Sequence, residues 1–419
     1  MNNYLHTFLI PLLLISFVLH SCDFISGTPA EEEEVFSVTN DVESRVIYYG
    51  DPAKVSEIPE AGSVADMLTI RARVRPPIVN GELTRASHID YANGFITAGY
   101  KVWRPNSYAY GGGIDILEVG SGSVIASARS MQSNTFDVQE VSYNWLDRTV
   151  FVAGAMERKE LDDPKAWVFR ISGTDGTMEA KAGIDGNVAK SLALRGPDVY
   201  VINEQNSIYR FNQNLTNSNQ LSVDSQIRFR NIHSVSPNQV VALCQNGILH
   251  WTHPNFRSIS NTYNALGRRL QADHGIARIS QFTHSGSDHL AVALNEHGFI
   301  VYNGGNRFSS ITDWFFHNGE NVTQQVRNRI QNRNYTSVIG ISGSGPMLIM
   351  AAGVGTNEAP VIDLFELTFS GNYTANYLGH LDLSQYGDLS MAQINHIHAE
   401  GGYLYVAKST DGVVIFEMN

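Results

Sequence analysis

The stretch from Asn395 to Met418 (NHIHAEGGYLYVAKSTDGVVIFEM) is one copy of a degenerate unit, and that period constrains the fold more than any other feature. The unit is a strand with inward polar residues, a Gly/Asn/Asp turn, a short apolar strand, a second turn and a third apolar strand. Aligned on the turn and strand Gly402–Ala407, six earlier stretches fit, at 94–98, 149–153, 199–202, 239–243, 289–293 and 347–351. Each is short, rich in β-branched or aromatic residues and bounded by turn formers, which is the strand signal. A third strand follows each of the seven, at 113–117, 166–170, 207–211, 247–251, 298–302, 361–365 and 412–416.

Anchors roughly fifty residues apart fall in the range for propeller blades. The expected fold is therefore all-β, a seven-bladed β-propeller over residues 67–419. Helical periodicity is scarce, with Gln324–Gln331 the best candidate. The seventh unit stops after its third strand, so its outer strand must come from elsewhere. Met67–Arg75 (MLTIRARVR) alternates Leu68, Ile70, Ala72 and Val74 with Thr69, Arg71, Arg73 and Arg75. That is the period-two pattern of a half-buried edge strand with charges toward water. It is expected to pair with Gly412–Phe416 and close the ring, which removes a sticky joint.

Ahead of the propeller, Phe8–Leu19 is a twelve-residue apolar run, the length of a signal-peptide core rather than a membrane span. The junction Leu19-His20-Ser21-Cys22 resembles a bacterial lipobox, which implies a signal peptide over 1–21 and lipidation of Cys22. Residues 22–66, with the like-charge run Glu31–Glu34, then read as a self-repelling tether. A diacyl anchor is stable because each buried methylene contributes about 0.8 kcal/mol. The expected location is the bacterial cell envelope, at the outer membrane or cell surface. The other cysteine, Cys244, sits in an apolar strand and reads as a buried free thiol. A net charge of −12 argues against nucleic acid as a partner.

The pattern GGYLYVA…GVVIFEM resembles the LVIVD repeat of bacterial β-propeller proteins, and HLAVALNEHGFIVYNG around Gly298 resembles it more loosely. The resemblance implies a propeller in an exported protein. It implies no particular chemistry, since propellers host many functions.

Candidate chemistry lies on the first strand of each unit, which lines a propeller's channel. Five residues before the anchor column stand Asp90, Asn144, Leu194, His284, Ser342 and His398, with His233 one residue out of step. Two residues earlier stand His88 and His396. His88, Asp90, His396 and His398 come from neighbouring blades and are candidate ligands for a divalent metal, or an acid–base set. Asn144, His233, His284 and Ser342 are candidate channel-lining residues; a solvated channel lined by polar groups accounts for the same pattern. Exposed aromatics are candidate binding anchors: Trp103, Tyr108 and Tyr110 between two strands of the first unit, and Trp314 and Phe315 in the long segment 306–336. Ser172–Thr177, Gly340–Gly345 and Gly111–Gly113 read as turns or close backbone approaches, and no GxSxG, HExxH, P-loop or EF-hand motif occurs. The leading expectation is a non-catalytic protein- or glycan-binding scaffold at the propeller face, tied to a membrane by its anchor. The alternative is a metal-dependent propeller hydrolase or lyase using the channel His and Asp residues.

Overall fold

The computed structural model describes residues 35–39, 41–49, 68–102, 110–120, 123–157, 163, 165–224, 228–236, 239–252, 256–264, 277–303, 312–316, 333–355, 359–369, 373–385 and 389–419. The signal-peptide run, Cys22, Glu31–Glu34, Trp103, Tyr108 and Gln324–Gln331 lie outside the described residues.

Among the described residues, besides a small hairpin at Ile78–Leu83, seven antiparallel sheets of four or five strands form, one per sequence unit, and the innermost strand of each contacts the innermost strands of both neighbours. These inner strands are Arg85–Ala92, Phe136–Asn144, Ala189–Arg195, Phe229–Ser236, Ile279–His284, Asn334–Gly340 and His396–Glu400, in blades 1 to 7. The seven contacts close a ring, so the expected seven-bladed β-propeller is the fold. All seven anchor stretches are second strands and all seven following stretches are third strands.

Burial explains why second strands were the easiest to read. Asp198–Asn203 (DVYVIN) is buried at every position, because both faces pack against neighbouring blades. Outer strands keep period two; Met178–Ile184 alternates half-buried and exposed until its last residue. Apolar clusters fill the joints: Phe151 and Val168 meet Leu192 and Val201 between blades 2 and 3, and Leu243 meets Leu290 between blades 4 and 5. In the Gly111–Gly113 run, a Cβ at Gly112 would lie 2.4 Å from the Tyr100 carbonyl oxygen, so only glycine fits.

Ring closure follows the expected pairing and adds to it. Leu68–Val74 pairs antiparallel with Gly412–Met418, from Leu68↔Met418 to Val74↔Val413. The charges do not all face water: Arg73 is buried against Asp411, Nη2 to Oδ1 2.8 Å, and Arg71 pairs with Glu417. The boundary of the expected 22–66 tether also needs correction, since the compact unit begins at Phe36. Ser37–Thr39 pairs with the outer strand of blade 1 (Ser123–Ser133), and Val46–Tyr48 pairs with Leu68–Val74 in blade 7. A single helical turn, Val42–Arg45, joins them, so residues 36–48 strap the first blade to the last. Arg45 locks the strap with a bidentate pair to Asp115 at 2.7 and 3.0 Å, the carboxylate being wholly buried. The segment 306–336 is corrected too. Trp314 and Phe315 lie on the outer strand of blade 5 (Thr312–Phe316), opposite Val301 and Ile300, and not in a loop.

Arg45→Ala leaves the Asp115 carboxylate buried without its guanidinium, a loss of roughly 3 kcal/mol or more. Urea denaturation checks it: the midpoint drops, and an unchanged midpoint means the strap does not secure the joint.

Candidate functional site

The central channel is built from three consecutive positions of each inner strand. In blades 1, 2, 3, 4 and 6 the pairing of inner with second strand slips at one level, between Ala86/His88, Val138/Glu140, Ala189/Ser191, Phe229/Asn231 and Tyr335/Ser337. A bulge of this kind re-aims the side chains around it. The residue just past the slip, with its equivalents in blades 5 and 7, gives the ring His88, Glu140, Ser191, Asn231, Arg278, Ser337 and His396. Each is followed by a buried Ile, Val or Leu that packs between blades.

The ring residues hold one another's blades. Nδ1 of His88 accepts from the Val141 amide at 3.5 Å. Oε1 of Glu140 accepts from the Leu192 amide at 3.3 Å and from Ser191 Oγ at 2.7 Å. Ser191 Oγ accepts from the Ile232 amide at 3.2 Å, and Asn231 Oδ1 from the Ile279 amide at 2.8 Å. Ser337 Oγ accepts from the Ile397 amide at 3.2 Å, and His396 Nδ1 lies 2.8 Å from the Ile89 carbonyl oxygen. Six joints thus carry a side chain that reaches the backbone of the next blade.

Arg278 has no acceptor to offer blade 6. Its guanidinium instead crosses the channel, pairing with Glu140 Oε2 at 2.5 Å and donating to the carbonyls of Ser87 at 3.0 Å and Asn395 at 3.2 Å. One side chain of blade 5 so ties blades 1, 2 and 7. Burial pushes the Glu140 carboxyl up, and Arg278 and Ser191 pull it back toward the ionised form. Glu140 and Arg278 line both mouths and separate them.

On the side where the inner strands end, the channel opens into a cavity of about 420 Å³ lined by His88, Asp90, His233, His396 and His398 among others, out to Arg195 and Glu400. The structure brings His88 and His396 together as stacked rings, centroids 4.4 Å apart and 13° from parallel. His398 stacks on Tyr91 at 5.4 Å, and Asp90 turns to blade 2, where Oδ2 accepts from the Tyr143 amide at 2.8 Å and Ser142 Oγ at 3.0 Å. Among the described residues no three His, Cys, Asp or Glu side chains converge as a metal-ligating group. The four candidate ligands therefore do not form the expected site for a divalent metal; they are occupied by ring stacking and by the backbone of neighbouring blades.

His233 and Ser342 line this cavity as expected. Asn144 does not: it closes the hairpin of blade 2, its Oδ1 accepting from the Leu146 amide at 3.3 Å. His284 is buried edge-on to His289 at 6.3 Å, and its backbone bridges to Gly343. The residues level with Asp90, His233 and His398 are Ser142, Ala193, Ser280 and Ile339, by their partners on the second strands. Tyr110 is half-buried, and its carbonyl accepts from Asn80 at 3.4 Å. Sequence reasoning missed Glu140 and Arg278. Their signal is the recurring triplet of a polar residue, an Ile/Val/Leu and a third residue: HID, EVS, SLA, NIH, RIS, SVI and HIH. It also missed Trp145 and Leu146, 47% and 75% exposed on the blade 2 hairpin at this same mouth.

No family model matches the chain, and no curated protein matches it. Solved structures do. The Cps50 (Swd1) β-propeller domain of Myceliophteria thermophila is similar at 11% identity and a TM-score of 0.56, over 83% of this chain and 100% of that one. A chain of the mitotic checkpoint complex is similar at 10% identity and a TM-score of 0.55, over 89% and 96%. At these identities the likeness is one of fold, and it agrees with the ring: the chain is a seven-bladed β-propeller.

Burial drives His88 and His396 well below the usual histidine range, helped by the Arg278 charge, and takes His233 and His398 from 6.5 to about 4. Burial raises Asp90 to about 6. The signs oppose. Below pH 6.5 the unfolded chain binds protons that the folded histidines refuse, so their contribution to stability is lost as pH falls toward 4. The Asp90 penalty applies above pH 6 and disappears toward 3.8. Burial also raises Glu140 and Asp137, but the four histidines outweigh these carboxyls, so the urea midpoint falls between pH 7 and pH 5. In His88→Gln/His396→Gln that fall is shallower; an equal fall in the variant places the titration elsewhere.

Proposed function

We propose that this protein is an exported, lipid-anchored binding module that docks a protein partner at the wide mouth of its propeller. The observation that carries it is the pairing, at one end of the channel, of an open polar funnel of about 420 Å³ with the exposed Trp145 and Leu146. An exposed aromatic side chain on a rigid scaffold is a common anchor of a protein interface, with Leu146 extending the apolar surface beside Trp145, and the funnel offers Arg195, Gln281 and Glu400 for polar contacts. The mitotic checkpoint complex chain of like fold works within a protein assembly, a use consistent with this reading. A glycan ligand would stack on the same Trp145 without needing Leu146.

The envelope location rests on Leu19-His20-Ser21-Cys22 and the apolar run before it. A bacterial lipoprotein of the LVIVD-repeat type fits both that junction and the closing repeat. Cys22→Ser is expected to abolish incorporation of labelled palmitate and release the protein from the membrane fraction. Continued labelling would rule out Cys22 as the anchor.

Photo-crosslinking tests the docking face in cells. A photoreactive residue at Gln281 or Glu400 is expected to trap one defined partner, and Trp145→Ala/Leu146→Ala to reduce that product about tenfold or more, as for a hot spot of 1.4 kcal/mol or above. The same product, undiminished in the double variant, would place the interface elsewhere.

A further inference from the structure

The other mouth of the channel has a different chemistry. It is a cavity of about 190 Å³ lined by Lys101, Lys190, Arg230 and Arg278, with Glu140 its one lining carboxylate. The bulges explain how the cations come to point there. Lys190 and Arg230 are the residues that the strand pairing skips in blades 3 and 4, so the slip turns their side chains out of the ladder and toward the axis. Lys101 reaches the same space from the second strand of blade 1.

Each of three described carboxylates near the cavity also holds another partner. Glu140 is held by Arg278. Asp137, which faces Lys101, accepts from the Gly111 amide at 3.1 Å and is pushed by burial up to about 6. Glu204, which faces Lys190, accepts from the amides of Asn187 and Val188 at 2.7 and 3.1 Å. Lys101 donates to the neutral Gln139 Oε1 at 2.7 Å. Burial and the neighbouring cations lower Lys101 to about 8; for Lys190, burial, Arg230, Lys101 and Arg278 together lower it to about 7. A chain with net charge −12 thus collects mutually repelling cations in one small cavity.

We propose that this narrow mouth is a binding site for a small polyvalent oxyanion of the phosphate class, gripped by Lys190, Arg230 and Lys101 from three different blades. A guanidinium and two ammonium groups match tetrahedral oxygens, and a bound dianion replaces their repulsion with charge-assisted hydrogen bonds. The cavity admits a phosphate or diphosphate group and excludes a folded domain. Binding holds both lysines protonated, so above pH 7 it takes up protons.

Isothermal titration of the full-length protein with pyrophosphate tests this, at pH 7.5, fixed ionic strength and in two buffers of different ionisation enthalpy. The expected result is saturable binding of one anion per chain with net proton uptake. Lys190→Gln/Arg230→Gln is expected to weaken it at least tenfold and to lose most of the uptake. Because the double variant relieves like-charge repulsion it should fold, and its urea midpoint should equal or exceed that of the parent. Phosphoserine in place of pyrophosphate distinguishes an ester ligand from a free anion by which binds tighter. No saturable binding of either probe, or equal affinity in the folded double variant, overturns the proposal.

Discussion

The hydrogen bond from a backbone amide of one inner strand to a polar side chain of the preceding blade is the interaction on which the ring depends. Each inner strand is the edge of its sheet, and an edge presents N–H groups with no ladder partner. Around a narrow axis such groups are buried, and a buried amide left unpaired costs as much as a lost hydrogen bond. Glu140, Ser191, Asn231 and Ser337 supply acceptors for Leu192, Ile232, Ile279 and Ile397. The bulges put these acceptors at one height, and the Ile, Val or Leu beside each fills the joint. The polar residues that line the channel therefore have structural work before any other.

Arg278 is the exception that organises the rest. A donor where the other blades place acceptors, it leaves its own joint to the backbone bridges His284↔Gly343 and Asn295↔Tyr335. In exchange it spans the channel to Glu140 and splits it into two mouths. The wide one is rich in neutral histidines, and Trp145 and Leu146 are exposed on the blade 2 hairpin at that end. The narrow one is cationic. A single substitution in a repeated column thus gives two ends of one pore opposite characters, which suits them to different ligands.

Most of the ring was readable in the sequence because the second strands are buried almost throughout and appear as short apolar runs, each followed after a turn by a largely buried third strand. The closing strand Leu68–Val74 was readable from its alternation. The inner strands were less so. Fixing the inner column at five residues before each anchor assumes one hairpin length, yet two residues separate the first two strands in blades 1, 3, 5 and 7, four in blade 2 and six in blade 6. Asp90, His233 and His398 landed on the right level; Asn144 fell on the last strand residue before the four-residue turn of blade 2, Ser342 fell inside the six-residue turn of blade 6, and His284 went four residues past Ser280 because the blade 5 strands run further before they turn. Bulges add a further residue that no periodicity reveals. The strap at 36–48 was hidden for another reason: its strands are three residues each, too short for a pattern, and lie just after Glu31–Glu34. The stacking of His88 on His396 depends on rotamers set by the backbone of blades 1 and 2, which spacing does not encode.

A double-mutant cycle at Glu140 and Arg278 tests most directly the claim that polar side chains of the channel hold the blades together. Glu140→Gln, Arg278→Met and the double variant are compared by urea denaturation at pH 7. Each single change strands a buried charge and is expected to cost roughly 3 to 5 kcal/mol. The double variant removes both charges, so its loss should fall short of the sum of the singles by well over 1 kcal/mol. Single losses below about 1 kcal/mol that simply add, within about 0.5 kcal/mol, would mean that the cross-channel pair does not tie the blades, and would contradict the account.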